Sequence, residues 1–301
     1  MALQRVYYPA AIQLPSPEIT HISDMAPSRN YQVVVERTAG SPTPCFVGVE
    51  TADPDLSFTT RQLKTVLDVC TSKYICRDLS AGTVDIWYRA GKAMDIREAP
   101  TTAVHLVGRL TQSAMLCWSS LRVATGSTAD MSARIVTARR ASVVDPMIWL
   151  GSQQLPTLSG CNRIYGMGPV RLNGNLLEGV TGWTLGINPT MEPIRSDGAK
   201  TNTYQGIREY HPVVTLNSNN AAEIADSSFG GDSFNTLELF LQHMTSTNMF
   251  NAVDSGTHIK ITVYGGLKTV DGITGAVAAT SPMFHSVGDD PILIDTSASI
   301  V

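Results

Sequence analysis

The sequence repeats itself, and this feature constrains the fold more than any other. When the chain is aligned with itself at an offset of 158 residues, identical and apolar residues coincide without gaps from Arg5 to Phe58. The identical pairs include Arg5 and Arg163, Tyr7 and Tyr165, Leu14 and Leu172, Gly48 and Gly206, and Pro54 and Pro212. Most other coincidences exchange one apolar residue for another, which keeps a buried face buried. Self-similarity at one offset indicates a tandem duplication.

Beyond Phe58 the repeat is less regular. An apolar stripe with helical spacing, Leu63, Val66, Leu67 and Cys70, matches Leu237, Phe240, Leu241 and Met244 at an offset of 174. This alignment predicts an insertion of about 16 residues in the second repeat, near residues 219–232. A competing alignment keeps the offset of 158 and places the second helix at Ala221–Ala225.

A boundary between two domains is expected near residues 150–160. This stretch, from Gly151 to Gly160, is rich in Ser, Gly, Pro and Gln and has no clear periodicity, which is typical of a linker. We therefore predict a first β-domain over residues 1–150, a linker over 151–160 and a second β-domain over 161–301.

Strands dominate the predicted elements. Short β-branched or alternating segments predict strands, and these lie at Tyr31–Arg37, Ala103–Leu110, Ala114–Thr125, Met131–Thr137, Trp183–Ile187, Val213–Leu216 and His258–Tyr264. One helix is predicted in each half, at Thr60–Tyr74 and at Phe234–Thr247. The expected fold is mainly β, with two tandem antiparallel β-sandwich or rolled-sheet domains, each with about one flanking α-helix. The segment Ser281–Val301 is either a last strand or an arm onto a neighbouring molecule.

Composition narrows the class of protein. The chain has 22 Lys and Arg against 26 Asp and Glu, a net charge of −4, and this argues against a protein that coats nucleic acid. Only 16% of its 301 residues are charged and 43% are hydrophobic, so it is expected to fold rather than to be disordered. A surface so poor in charge suits a protein covered by copies of itself.

No targeting or cross-linking signal stands out. The N-terminus lacks the pattern of a signal peptide, and no apolar run is long enough to span a membrane. The five cysteines contain no Cys-x-x-Cys pair, so we expect buried thiols in a reducing cytoplasm rather than disulfides or a zinc site.

A search for catalytic chemistry yields only weak candidates. The acidic pairs Asp53 with Asp55 and Asp289 with Asp290 are candidates for Ca²⁺ binding or acid–base work, but each adjoins a proline and is typical of a turn. The six histidines share no metal-ligand spacing, and no phosphate-binding or nucleophile motif is present. We therefore predict no catalytic residues, no metal and no cofactor, and expect that the protein is not an enzyme.

Two segments of the second repeat carry a resemblance to a known family. Leu177–Ile187 (LEGVTGWTLGI), the polar loop with Ser196-Asp197-Gly198, and Tyr210–Leu216 (YHPVVTL) resemble the major tail tube proteins of long-tailed bacteriophages. The resemblance runs from Leu177 to Leu216 in the second repeat and, more faintly, over positions 19–60. A duplicated chain is similar to the two-domain members of this family, which form trimeric rings with pseudo-sixfold symmetry.

The resemblance implies a function and its partners. It implies a virion protein of the phage tail, assembled in the host cytoplasm, whose trimeric rings stack into a hollow tube. Its partners would be copies of itself, other tail proteins, and DNA that passes through the lumen without specific binding; no membrane is implied. The residues expected to contact the next ring lie in the loop between Asn188 and Tyr204, and they are Pro193, Arg195, Asp197, Gly198 and Lys200.

Two other classes of function remain open at this stage. A capsid protein can also be built from tandem β-domains, although the two predicted helices argue against a double jelly roll. A baseplate or distal-tail protein is built on a domain related to that of the tail tube proteins. A carbohydrate-binding module or an enzyme would need converging acidic and aromatic residues, and the sequence does not assemble such a set.

Overall fold

The fold is built almost entirely from antiparallel β-strands. A computed structural model describes residues 5–300, apart from 38, 40–41, 72–74, 80–81, 94–95, 112, 139–145, 159–162, 196–201, 221–231, 246–249, 254, 271–272 and 275–278. Strands account for 66% of the described residues, which also contain one short helix. The prediction of a mainly β protein with antiparallel sheets is confirmed.

The elements of the first half, here called half one, run from β1 to β13. They are β1 (Val6–Gln13), β2 (Glu18–Ile19), β3 (Ile22–Ser28), β4 (Tyr31–Arg37), β5 (Pro44–Ala52), β6 (Asp55–Thr60), α1 (Leu63–Cys70), β7 (Cys76–Asp78), β8 (Val84–Ala93), β9 (Ile96–Arg97), β10 (His105–Leu110), β11 (Ser113–Ala124), β12 (Asp130–Ala138) and β13 (Met147–Gln153).

The remaining strands form half two. They are β14 (Ile164–Leu172), β15 (Asn175–Leu176), β16 (Val180–Gly186), β17 (Thr190–Ile194), β18 (Tyr204–Glu209), β19 (Val213–Ser218), β20 (Asp232–Met244), β21 (His258–Thr269), β22 (Ile273–Thr274), β23 (Ala279–Thr280), β24 (Met283–Ser286) and β25 (Ile292–Ala298). The segment Ser281–Val301 therefore contributes β24 and β25, which pair with β21.

Two sheets contain most of the strands. The smaller sheet has the order β13-β10-β8-β1-β2 and lies entirely in half one. The larger sheet has the order β15-β14-β20-β21-β24-β19-β16-β11-β12-β6-β3, so it runs from half two into half one. The pairs β4–β5 and β17–β18 stand apart from both sheets, and we call them hairpin one and hairpin two.

The helix of half one forms where the sequence predicts it. The apolar residues Leu63, Val66, Leu67 and Cys70 are all buried, as expected for a stripe with helical spacing that faces the core. The observed helix is eight residues long, shorter than the predicted Thr60–Tyr74. The Thr60 hydroxyl accepts a hydrogen bond from the Gln62 amide just before the helix begins.

The predicted helix at Phe234–Thr247 is wrong, because this segment is the long strand β20. Leu237, Leu239 and Leu241 are fully buried on one face, so the segment has the period of two that defines a strand. Phe240 is buried on the opposite face, between the side chains of Arg171 and Lys260. Apolar residues on both faces mimic the broad stripe of a helix, which explains the error. The competing helix at Ala221–Ala225 lies outside the described residues.

The alignment that depended on that helix is also wrong. β1 pairs with β8, with Val6 opposite Gly91, and β14 pairs with β20, with Ile164 opposite Met244. β20 is therefore the counterpart of β8, and Met244 is the counterpart of Gly91. The offset between the halves is 153 residues at this point, slightly below 158, instead of the predicted 174. The sequence has no large insertion between β19 and β20 relative to half one.

The later strands of the two halves correspond as well. β10 pairs with β13 as β21 pairs with β25, and β6 pairs with β12 as β19 pairs with β24. The pairing of β3 with β6 and that of β16 with β19 keep the offset of 158, including a register shift at Ile22 and at Val180. The duplication is therefore visible strand by strand.

The segment predicted as a linker contains ordered structure at its start. β13 extends to Gln153, and Leu155 is buried against Ala11, Trp87 and Val107 in a small apolar cluster of half one. The main core is one continuous cluster that includes residues of both halves, with Trp118 and Trp183 among its largest buried side chains.

The expectation that the cysteines are free thiols is wrong for one pair. Cys76 on β7 lies directly opposite Cys117 on β11, and the two sulfur atoms form a disulfide. Cys45 is an exposed thiol, and Cys70 is a buried one whose pKa is raised to about 12 by burial. Cys161 lies outside the described residues. The cross-strand pairing of β7 and β11 could not be inferred from a spacing of 41 residues.

Candidate functional site

The acidic residues singled out in the sequence do not form a catalytic pair. Asp55 binds Arg134 on the neighbouring strand, and Asp53 binds Arg195 of half two. The pair formed by residues 289 and 290 is exposed in a bend before β25. Within the described part of the chain, no group of three His, Cys, Asp or Glu residues is arranged to hold a metal ion. The distinctive feature of the molecule lies instead where its halves meet.

The two halves are joined by a continuous sheet. β16 of half two pairs with the end of β11 of half one, with Ser120 opposite Gly186 and Ala124 opposite Gly182. The Ile187 amide donates to the Ser119 carbonyl at 2.8 Å just beyond the ladder. A Cβ on Gly182 would lie 3.0 Å from the Val123 carbonyl oxygen, so the missing side chain allows the close approach of the strands. We call this pairing the seam.

Hairpin two makes a second contact between the halves, beside the seam. It lies over the face of the larger sheet that carries Asp55 and Arg134, and a cleft of about 460 Å³ separates the two. Met191, Pro193 and Gln205 of the hairpin line this cleft. The Asn202 amide donates to Asp53 at 3.3 Å, and Asn202 is buried.

The structure places two of the five residues predicted to contact a neighbouring ring. Pro193 lies in β17 and faces half one, and Arg195 follows this strand and binds Asp53 of the same chain. Asp197, Gly198 and Lys200 lie outside the described residues. Much of the segment predicted as a loop is therefore a hairpin that contacts the other half.

Hairpin one differs from hairpin two in its exposure. Val33, Val35 and Val47 are 55%, 51% and 60% exposed, and Tyr31 and Phe46 are also about half exposed. This is an unusual concentration of large apolar side chains on one projecting element. The sequence could not reveal it, because a run of β-branched residues at Tyr31–Arg37 is equally typical of a buried strand.

The larger sheet also ends in unpaired backbone. Among the described residues, β3 pairs only with β6, whereas its counterpart β16 pairs with both β19 and β11. Similarly, β22 pairs only with β23, so its other edge has no partner among the described residues. Open edges present free amide and carbonyl groups to which another strand can add.

Two buried histidines show how closely the halves match. His105 Nδ1 accepts from the Ala90 amide at 3.0 Å, and its Nε2 lies 3.0 Å from the Ala99 carbonyl oxygen. His258 Nδ1 accepts from the His243 amide at 3.0 Å, and its Nε2 lies 2.8 Å from the Ala252 carbonyl oxygen. An offset of 153 residues relates each histidine and both of its partners to their counterparts in the other half. These histidines brace strands and are fully buried, so they have no access to a substrate.

Comparison with known proteins adds no assignment. No model of a known protein family matches the sequence, and no curated protein matches it either. In the part of the chain that the structure describes, no helix combines the length and the apolar character needed to cross a bilayer.

Proposed function

We propose that this chain is a structural virion protein, a tail-tube subunit that assembles into stacked hollow rings through which phage DNA is ejected. The observation that carries the proposal is the seam, at which one half continues the sheet of an equivalent half in a head-to-tail arrangement. A head-to-tail contact between equivalent units generates a closed ring when the rotation closes, and a filament when it does not.

The chain carries the parts that such a ring requires. Half one and half two are the two tube-like β-domains of the proposal, each a sandwich or rolled sheet, with the boundary near residues 151–160. One seam lies inside the chain, and the open edges of β3 and β22 leave a second one to be made with other copies. Three chains would then provide six equivalent units, which agrees with the trimeric rings implied by the resemblance.

The elements that carry the resemblance are those that form the seam. The segment Leu177–Ile187 contains β16, and Tyr210–Leu216 contains most of β19, with hairpin two between them. In the tail tube family an outward loop lies at this place. The proposed subunit would contact other tail proteins at the ends of the tube.

A conduit for DNA needs a wall that does not bind phosphate strongly. The net charge of −4 gives a mild repulsion between the protein and DNA, so DNA would pass without specific contacts. The proposal needs no catalytic group, metal or cofactor.

Negative-stain electron microscopy of the purified protein, with its mass in solution, tests the proposal. We expect hollow rings or stacked tubes, together with a species of about three chains. Closed shells would contradict the tube and favour a capsid protein. Rings that never stack would instead favour a baseplate or distal-tail role, and a protein that stays monomeric at all concentrations would contradict assembly altogether.

A further inference from the structure

Each half carries the same two contact elements, an edge strand followed by a hairpin. In half two these are β16 and hairpin two, and both contact half one of the same chain. In half one they are β3, which pairs only with β6 among the described residues, and hairpin one, which reaches the cleft under hairpin two only with its base at Tyr31, Gln32 and Thr51. The contact made by half two is therefore a template for what half one can bind.

We propose that β3 and hairpin one of one molecule bind half two of a second copy of this chain, in the register that β16 and hairpin two adopt on half one. This inference rests on the proposed function in so far as it identifies the contact between subunits of a ring. It goes further in naming the strands, the register and the face that meet.

The receiving strand can be identified from its counterpart in half one. In half one, Leu121 of β11 lies opposite Met131 of β12, and in half two Ile273 of β22 lies opposite Thr280 of β23. Strand β23 pairs with β19 at Ser218 in the same way that β12 pairs with β6 at Thr60. The strand pair β22–β23 is therefore the counterpart of the part of β11–β12 that forms the seam.

The register of the new contact follows directly. Leu121 and Arg122 lie opposite Leu185 and Thr184 at the seam. Their counterparts predict that Ile273 lies opposite Pro27 of the second copy, and Thr274 opposite Ala26. The proposed ladder is limited to this part of β3, because Asp24 stands where the seam has Gly182 and its side chain would prevent the same close approach.

Proline at position 27 has a defined consequence for this pairing. Backbone groups of a strand alternate between its two edges, and the Ile187 amide points to β11, so the amide of Leu185 has the same direction. Pro27 replaces Leu185 and has no amide hydrogen, which removes one hydrogen bond relative to the seam. Proline on an edge strand also disfavours pairing in other registers.

The polarity of the facing surfaces matches in both contacts. Under hairpin two, half one presents the ion pair of Asp55 and Arg134, and their counterparts in half two are Val213 and Met283. The residues of the two hairpins that face the sheet differ in the same way, with the less polar set on hairpin one. Met191, Pro193 and Gln205 on hairpin two correspond to Val33, Val35 and Val47 on hairpin one.

These changes identify a second copy of this chain as the partner. An apolar hairpin and the less polar of the two sheet faces are present on the same molecule, at places that the duplication relates to each other. Their association would bury three valine side chains that are each more than half exposed in the single chain.

Cysteine cross-linking tests the register. At the seam, Ile187 is hydrogen-bonded to Ser119, and Thr181 to Thr125. Hydrogen-bonded and non-hydrogen-bonded pairs alternate along an antiparallel ladder, so Thr184 and Arg122 form a non-hydrogen-bonded pair, in which Cα atoms lie about 4.5 Å apart. We expect Ala26→Cys with Thr274→Cys, in a Cys45→Ser background, to form covalent dimers and trimers on oxidation. Thr184→Cys with Arg122→Cys is the matched control and should cross-link only within one chain.

Each single cysteine variant should remain uncross-linked. The register would be overturned if the double variant formed no more covalent oligomers than Ala26→Cys or Thr274→Cys alone.

A substitution on hairpin one provides the second test. Val35→Asp places a charge in the proposed contact, whereas its site is exposed in the single chain. We expect it to lower the cross-linked fraction at least tenfold.

The control for Val35→Asp is Leu176→Glu. Leu176 is 52% exposed, and its counterpart in half one is Glu18, so the fold accepts an acid there. Equal losses in the two variants would overturn the role of hairpin one. The inference and the proposed function can fail separately: cross-linked rings that never stack into tubes would contradict only the tube, whereas tubes in which positions 26 and 274 do not cross-link would contradict only this contact.

Discussion

At the scale of single residues, the two buried histidines have matching hydrogen bonds. In each, Nδ1 accepts a hydrogen bond from a backbone amide, so the proton of the neutral ring lies on Nε2, which faces a carbonyl oxygen. Their role could not be read from the sequence, because the partners lie 15 residues and 6 residues away in loops and strands whose register was unknown.

Replacement of either histidine should destabilise the protein by a similar amount. His105→Ala and His258→Ala each leave a buried amide and a carbonyl without a partner, and we expect a loss of about 2–5 kcal/mol in the free energy of unfolding. Urea denaturation of each variant measures this loss. His211→Ala, which removes an exposed ring, should cost far less. A loss below about 1 kcal/mol for either buried histidine would contradict the bracing role.

The buried thiol of Cys70 should make stability depend on pH. Burial raises its pKa from 9.0 to about 12, so above pH 9 the unfolded state loses a proton that the folded state keeps. Stability is therefore expected to fall as the pH rises above 9, by up to about 1.4 kcal/mol per unit.

Cys70→Ala removes this dependence. Its destabilisation relative to wild type, measured by urea denaturation, should shrink by about 1 kcal/mol between pH 8 and pH 10. Cys45→Ala, which removes an exposed thiol, is the matched control. If the difference in unfolding free energy between Cys70→Ala and wild type stayed constant across this pH range, the thiol would not ionise on unfolding.

At the scale of elements, local sequence patterns predicted the positions of several strands closely. β4 has the predicted bounds Tyr31–Arg37, and β10, β11 and β12 differ from their predictions by one or two residues at either end. β20 failed because it is central in the sheet and apolar on both faces. The seam could not be predicted, since it joins strands that are distant in the chain, with Ala124 opposite Gly182.

The last strand of the chain belongs to the core and is not an arm onto a neighbouring molecule. Ile292 and Ile294 of β25 are buried, and β25 pairs with the central strand β21. Ile294→Ala should therefore cost about 2–5 kcal/mol in the free energy of unfolding, because it opens a cavity in the core. Thermal denaturation would detect the loss. Ser297→Ala changes an exposed residue of the same strand and should leave the melting temperature nearly unchanged.

At the scale of the whole molecule, the duplication has been used asymmetrically. Half two uses its edge strand and its hairpin to contact half one. Among the described residues, β3 pairs only with β6, and hairpin one reaches the cleft under hairpin two only at its base. Sequence self-similarity indicated the repeat but not this difference, which depends on which backbone edges remain open after folding. The same asymmetry places Pro193 and Arg195, two of the residues predicted to contact a neighbouring ring, beside half one of the same chain.

A sheet and a core that both continue through the seam predict that the two halves unfold together. Calorimetry of dilute protein should show one transition, with equal calorimetric and van't Hoff enthalpies.

Gly182→Val should uncouple the unfolding of the two halves, because the valine side chain would press on the Val123 carbonyl and open the β11–β16 ladder. We expect two transitions in this variant, the first at a lower temperature than in wild type. Gly126→Ala is the control, since this turn glycine has open space around it and its positive φ makes the substitution costly only locally. Two transitions in the wild-type protein would mean that the seam transmits little stability between the halves, and the seam would then be a weak template for contacts between molecules.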